Sequence, residues 1–173
     1  ADHIGPITSV AYSRDGTMLA SADASGRVIV RGSKKGRPVR LPDQGGRVRQ
    51  VGFSPDGRRL LTISGSELRT WDAASGEALS RSPLSRSSAF FFSPAGDAIA
   101  VSDESRVVTL LDAASLRPMR TFGAAQPNDD VRQNLMTPSS VSFSPGGDAI
   151  AIARWDQPTA IWAQELDATG LGV

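Results

Sequence analysis

The stretch Phe53-Ser54-Pro55-Asp56-Gly57 decides the fold, because the chain returns to it three more times in altered form. Tyr12-Ser13-Arg14-Asp15-Gly16, Phe92-Ser93-Pro94-Ala95-Gly96 and Phe143-Ser144-Pro145-Gly146-Gly147 are the other copies, at spacings of 41, 39 and 51 residues. One unit of about 40 residues therefore recurs, with an insertion before the last copy, and a period in that range with strand-like flanks indicates a propeller or another stacked array. The motif explains itself physically. An aromatic ends one strand facing the core, and Pro with Asp-Gly or Gly-Gly turns the chain through a tight hairpin.

Working outward, each corner is flanked by alternating runs. Ile7 to Tyr12 leads into the first corner and Met18 to Ala22 runs back, followed by a third strand over Arg27 to Arg31 and a short fourth over Val39 to Leu41. The second unit repeats this with Val48 to Phe53, Arg59 to Ser64, Glu67 to Asp72 and a short strand near Ala78-Leu79. Ser88 to Phe92, Ala98 to Ser102, Arg106 to Asp112 and Met119 to Phe122 make the third, and its turn Asp112-Ala113-Ala114-Ser115 nearly copies Asp72-Ala73-Ala74-Ser75. Gly123 to Pro138 breaks the period. The fourth unit supplies Ser139 to Phe143, Ala149 to Arg154 and Thr159 to Trp162. The expected organisation is all-β, with four-stranded antiparallel units at residues 1–42, 43–84, 85–122 and 137–173, an inserted loop at 123–138, and a last unit lacking its outer strand.

Composition bounds the function. The 173 residues are 39% apolar and 21% charged, within the globular range. A formal charge of +1 gives no global attraction to nucleic acid or to an anionic membrane. No apolar run approaches the roughly 20 residues that span a bilayer, and the N-terminus has no signal-peptide pattern. A cytoplasmic location is the expectation, with a signal peptide in a longer parent chain left open. The absence of cysteine removes disulfides, thiolate nucleophiles and cysteine metal sites together. Arg outnumbers Lys heavily, Lys34 and Lys35 being the only lysines, as codon bias in a GC-rich, bacterial-looking genome would produce.

With the units side by side, the pattern resembles the WD40-repeat family of β-propellers over nearly the whole chain. Asp2-His3 about ten residues before the first corner, the four corners, Trp71-Asp72 and Trp162 carry the resemblance. It implies four-stranded blades, each with a buried network of a His before the first strand, a Ser or Thr on the second, an Asp in the next turn and a Trp on the third. No unit keeps all four. The first has His3 and Ser21, with Ser25 at the Asp place and Arg31 at the Trp place; the second has Thr62 and Trp71, with Gln44 for the His. In the third, Ser105 and Leu111 replace Asp and Trp, and the fourth has Asp156 and Trp162 alone. Four blades are fewer than the family's usual ring, so the chain is expected to be an arc of a larger propeller or a part completed by a second copy of itself.

His3 is the only histidine, which speaks against His-based metal clusters and makes the network role the preferred one. The serines lie in turns and strand ends with no nucleophile motif around them. Asp103-Glu104 and Asp129-Asp130 lack the ligand periodicity of a calcium loop and read as solvated turns. The basic run Arg31, Lys34, Lys35, Arg37 and Arg40 would bind phosphate or an acidic partner in a salt-dependent way, but no aromatic is interleaved for base stacking, and a solvated turn is preferred. The insertion is the better candidate: Asp129, Asp130, Arg132, Gln133, Asn134, Leu135 and Met136 offer charge, amides and an apolar pair suited to protein contact.

The expected function is a non-catalytic protein–protein interaction scaffold or sensor within a larger propeller or multidomain protein. No cofactor or metal is implied. The alternative is a propeller that gates a hydrolase or kinase domain encoded elsewhere. Fold alone does not choose between them.

Overall fold

A computed structural model describes residues 2–32, 37–84, 87–103, 107–122, 140–153 and 161–165. Every element among them is a β-strand, and all pairing is antiparallel. The first sheet is β1 (Ile7–Tyr12), β2 (Met18–Asp23), β3 (Val28–Gly32) and β4 (Val39–Arg40), in that spatial order. The second is β5 (Val48–Phe53), β6 (Arg59–Ser64), β7 (Glu67–Asp72) and β8 (Ala78–Pro83), and the third is β9 (Ser87–Phe92), β10 (Ala98–Asp103), β11 (Val108–Asp112) and β12 (Pro118–Phe122). β13 (Ser140–Phe143), β14 (Ala149–Ala153) and β15 (Ile161–Glu165) form the fourth, which has three strands among the described residues.

The expectation of repeated four-stranded antiparallel sheets is met, with two differences in strand placement. β8 extends to Pro83, where the sequence suggested a short strand near Ala78-Leu79. Its Ser80, Arg81 and Ser82 carry no apolar alternation, and the strand is held instead by pairing with β7, as in Arg69 opposite Arg81 and Thr70 opposite Ser80. β15 lies later than Thr159 to Trp162, because the register sets Ala149 opposite Glu165 and Ala153 opposite Ile161.

All four corners close in one way. The serine N–H donates to the carbonyl five residues on, and its hydroxyl accepts the N–H of that same residue: Ser13 with Met18, Ser54 with Arg59, Ser93 with Ala98 and Ser144 with Ala149. Each hydroxyl donates to an aspartate Oδ1 at 2.6 Å. In the first two corners that aspartate is two residues on, at Asp15 and Asp56, and in the last two it is four residues on, at Asp97 and Asp148. Hydrogen bonds from Ser13 and Thr17 hold the Asp15 carboxyl down to about 2. The glycine three residues after each serine has a φ between 69° and 79°, the left-handed region that side chains disfavour.

The chain divides into two compact units, residues 1–85 and 86–173. In the first, Ala20, Ala22, Val28 and Val30 on one face of the first sheet pack against Val48, Val51, Leu60 and Trp71 of the second. The second unit repeats this, with Ala98, Ala100, Val108 and Leu110 of the third sheet against Val141, Ile150 and Ile152 of the fourth. Alanines on one sheet thus receive branched or aromatic side chains from the next. The fit is close at the rim, where a Cβ on Gly76 would lie 2.7 Å from Val39 Cγ1.

Candidate functional site

The polar network of the first sheet begins with a buried charge. Asp23, fully buried at the end of β2, accepts on Oδ1 from Ser25 N–H at 2.8 Å, Ser25 Oγ at 2.6 Å and Arg27 N–H at 3.0 Å. Its Oδ2 lies 2.9 Å from His3 Nδ1 and accepts Ile4 N–H at 3.2 Å. Burial by itself would raise the Asp23 pKa, but the hydrogen bonds from Ser25, Arg27 and His3 outweigh it and hold the carboxyl well below the usual carboxylate range. The aspartate place of this unit is therefore filled by Asp23 and not by Ser25, which donates its N–H and its hydroxyl to that carboxylate. The signal was available: Asp23 stands ten residues after the corner Ser13 and opposite Ile7 on β1.

From Asp23 the network runs outward. His3 Nε2 lies 2.8 Å from Ser21 Oγ, Arg31 Nη1 donates to that oxygen at 3.2 Å, and Arg31 Nη2 donates to Asp2 Oδ2 at 2.6 Å. His3 thus bridges Asp23 and Ser21 through its two ring nitrogens, and a hydrogen-bonded chain links Arg31, Ser21, His3 and Asp23. Ser21, His3 and Asp23 have the connectivity of a hydrolytic triad. Ser21, however, is buried and its oxygen is engaged by both His3 and Arg31, an arrangement suited to holding a sheet rather than attacking a substrate.

The second sheet carries a neutral version. Trp71 Nε1 donates to Thr62 Oγ1 at 3.0 Å, and Thr62 Oγ1 donates to Gln44 Oε1 at 3.2 Å, all three residues being buried. Ser64 stands at the aspartate place and donates to the backbone carbonyls of Gln44 at 3.2 Å and Gly46 at 3.0 Å. In the third sheet that place belongs to Asp103, whose Oδ1 accepts Val107 N–H at 2.8 Å, as Asp23 accepts Arg27 N–H. Ser105, expected there, lies outside the described residues, and Asp103 is a turn cap rather than a freely solvated carboxylate. Leu111, opposite Ile99, holds the place of Trp71, opposite Leu60.

Register also moves the fourth unit. Trp162 stands opposite Ile152, and Gln164, opposite Ile150, is the positional counterpart of Trp71. The cause is length: seven residues separate Ala153 from its partner Ile161, whereas five separate Ala22 from Val28. Asp156 lies outside the described residues.

The basic run is partly neutralised. Arg31 and Arg40 both pair with Asp2, Arg40 Nη2 reaching Oδ1 at 2.9 Å. Arg31 hydrogen bonding is the leading cause that lowers the Asp2 pKa. Arg37 is exposed, and Lys34 and Lys35 lie outside the described residues. Outside them too are Asp129, Asp130, Arg132, Gln133, Asn134, Leu135 and Met136 of the insertion. Among the described residues no helix is long and apolar enough to cross a membrane.

Comparison with known proteins places the first unit. Residues 1–30 match the family described as WD domain, G-beta repeat. That span contains His3, the first corner, Ser21, Asp23 and the start of β3. A search of curated proteins returned no match. A repeat of this kind points to a protein-interaction scaffold, and such domains are generally non-catalytic. Residues 1–30 thus match a WD40-repeat model, within an all-β structure whose antiparallel sheets are consistent with WD40 propeller blades.

Proposed function

We propose that the chain is a non-catalytic protein–protein interaction module, a scaffold or sensor that forms part of a larger propeller or multidomain protein. The observation that carries this reading is the WD40 match at residues 1–30 on a sheet whose Ser21 and Asp23 are both hydrogen-bonded to His3, all three being buried or half-buried. Side chains that could do chemistry are there consumed in holding strands together. Recognition then falls to loops carried on a rigid support.

The insertion at 123–138 is the loop we assign to partner contact, with Asp129, Asp130 and Arg132 steering a charged partner and Leu135 and Met136 supplying the apolar contact. Further sheets, from a longer chain or a second copy, complete the assembly. The test replaces 123–138 by a short Gly-Ser link and compares partner capture and circular dichroism with the unaltered chain. Capture should disappear while the β signal stays. Capture that survives the replacement would reject the insertion as the contact surface.

A further inference from the structure

We propose that β8 (Ala78–Pro83) takes an extended acidic peptide segment of a partner protein as an added antiparallel strand along its open edge. The proposal rests on the reading of the chain as an interaction module, and adds a second contact surface separate from the insertion.

β8 is the outermost strand of its sheet, and among the described residues it pairs only with β7. It has six residues, against two in β4 and five in β12, so it is the longest of the outer strands described. Leu84 N–H donates to Ser66 O at 2.8 Å, next to the pairing of Glu67 with Pro83. Hydrogen-bonded pairs alternate with unbonded ones along an antiparallel ladder, so Leu68 with Ser82 and Thr70 with Ser80 are bonded pairs, while Arg69 with Arg81 is not. The N–H and C=O of Arg81 therefore point away from β7, toward the open edge. Such an edge is a template for a further strand.

The charge at this edge is unbalanced. Arg81 stands directly opposite Arg69, a like-charge pair that costs stability unless a carboxylate relieves it. Glu67 relieves Arg69: its Oε2 accepts from Arg69 Nε at 2.8 Å and also from Arg69 Nη2. Its Oε1 lies 3.9 Å from Arg81 Nη1, beyond hydrogen-bond reach, and the Arg81 side chain is 80% exposed. The corresponding places on the other two outer strands make no such demand. Arg40, opposite Ile29, pairs with Asp2 at 2.9 Å, and Thr121, opposite Thr109, is neutral.

Backbone and charge together select the occupant. A residue directly opposite Arg81 on an added strand carries its side chain on the face that Arg81 and Arg69 share. A Glu or Asp there supplies the missing carboxylate while its own N–H and C=O bond to Arg81. Leu79, 50% exposed and two residues before Arg81, offers apolar contact to a neighbouring residue of the added strand. A second copy of β8 does not fit this description, because its sequence ALSRSP brings another arginine and no carboxylate.

Fluorescence anisotropy on the full chain tests this with a capped peptide that alternates Val and Glu over the length of β8. Two controls accompany it: a Val-Lys peptide, and the Val-Glu peptide N-methylated at each Glu, which keeps the charge but loses the N–H groups that meet Arg81. The Val-Glu peptide should bind, more weakly as salt is added, and should slow hydrogen exchange at the Arg81 amide several-fold. Neither control should bind. Arg81→Glu, at an exposed position, should keep the circular dichroism, weaken Val-Glu binding about tenfold or more, and admit the Val-Lys peptide. Exchange protection at Arg81 in the unaltered chain decides the matter if that variant fails to fold. No binding of the Val-Glu peptide, equal binding of its N-methylated form, or protection confined to residues outside β8 overturns the proposal. The Gly-Ser replacement of 123–138 should bind the peptide as the unaltered chain does, so loss of partner capture and loss of peptide binding are read separately.

Discussion

Arg31 stands where Trp71 stands one unit later, and the two do the same work: each donates a side-chain N–H to the hydroxyl two strand positions from its cross-strand partner. Arg31 Nη1 reaches Ser21 Oγ at 3.2 Å, and Trp71 Nε1 reaches Thr62 Oγ1 at 3.0 Å. Their surroundings differ. Trp71 is buried against the first sheet, while half-exposed Arg31 spends its second nitrogen on Asp2.

That equivalence predicts an asymmetric pair of variants. Trp71→Phe leaves the buried Thr62 hydroxyl without its donor and opens a small cavity, at a cost of about 2–3 kcal/mol. Arg31→Trp keeps an N–H donor for Ser21 and loses only a half-exposed ion pair, so its cost should be below about 1 kcal/mol. Urea unfolding measures both, and equal losses would break the equivalence.

Asp23 should make the protein acid-sensitive. Its folded pKa lies below the unfolded value of 3.8, so its stabilisation is complete above that value and is lost as pH falls through the folded one. Asp23→Asn should therefore be less stable than the parent at pH 7 and show a flatter decline below about pH 4. Some decline remains, because Asp2, Asp15, Asp56, Asp72 and Asp148 are shifted in the same direction. Urea midpoints at pH 7 and pH 3 supply the comparison, and parallel declines would show that Asp23 is not the controlling group.

Two glycines separate backbone strain from crowding. Gly16 has a φ of 69° with open space around an added Cβ, so Gly16→Ala should cost about 1–2 kcal/mol from conformation alone. Gly76 has a φ of 76° and Val39 Cγ1 2.7 Å from the added Cβ, so Gly76→Ala should cost more. Val39→Ala should rescue only the excess, which a double-mutant cycle reads as coupling. Strict additivity would remove the crowding component.

The corner serine and aspartate should also behave as one unit. Ser93→Ala removes both the cap on Ala98 N–H and the bond to Asp97, at about 1–2 kcal/mol, while Asp97→Ala should cost less because Ser93 still caps Ala98. With Ser93 already replaced, losing Asp97 should add almost nothing. A full additional loss, seen in thermal unfolding, would mean that Asp97 acts through another neighbour.

What the sequence made legible follows from how local each signal is. The corners and inner strands could be read because aromatic, serine and glycine occupy fixed positions over a few residues, and the glycine places carry the positive φ that the turn requires. Asp23 has no local mark and Asp103 reads locally as a solvated turn, because the role of each depends on a count from the corner serine and on a backbone N–H four residues on. Trp162 misled for the opposite reason: residue type suggested a place that a connection two residues longer assigns to Gln164. Arg31 was legible as a substitute for tryptophan, but its tie to Asp2 spans 29 residues and has no local trace.

Leu116 occupies the place that Gly76 holds one unit earlier, each closing its turn by an N–H bond to the carbonyl four residues back. Its φ of 57° is one that leucine resists, yet its side chain is buried. A turn of this kind has no reason to form in the unfolded chain, because its conformation is favourable only once the apolar surroundings exist to receive the leucine. The Asp72–Gly76 turn meets no such resistance, because glycine takes its φ of 76° freely. The Asp112–Leu116 turn depends on tertiary packing, so near-identical stretches of sequence differ in how far their turns stand on local conformation alone.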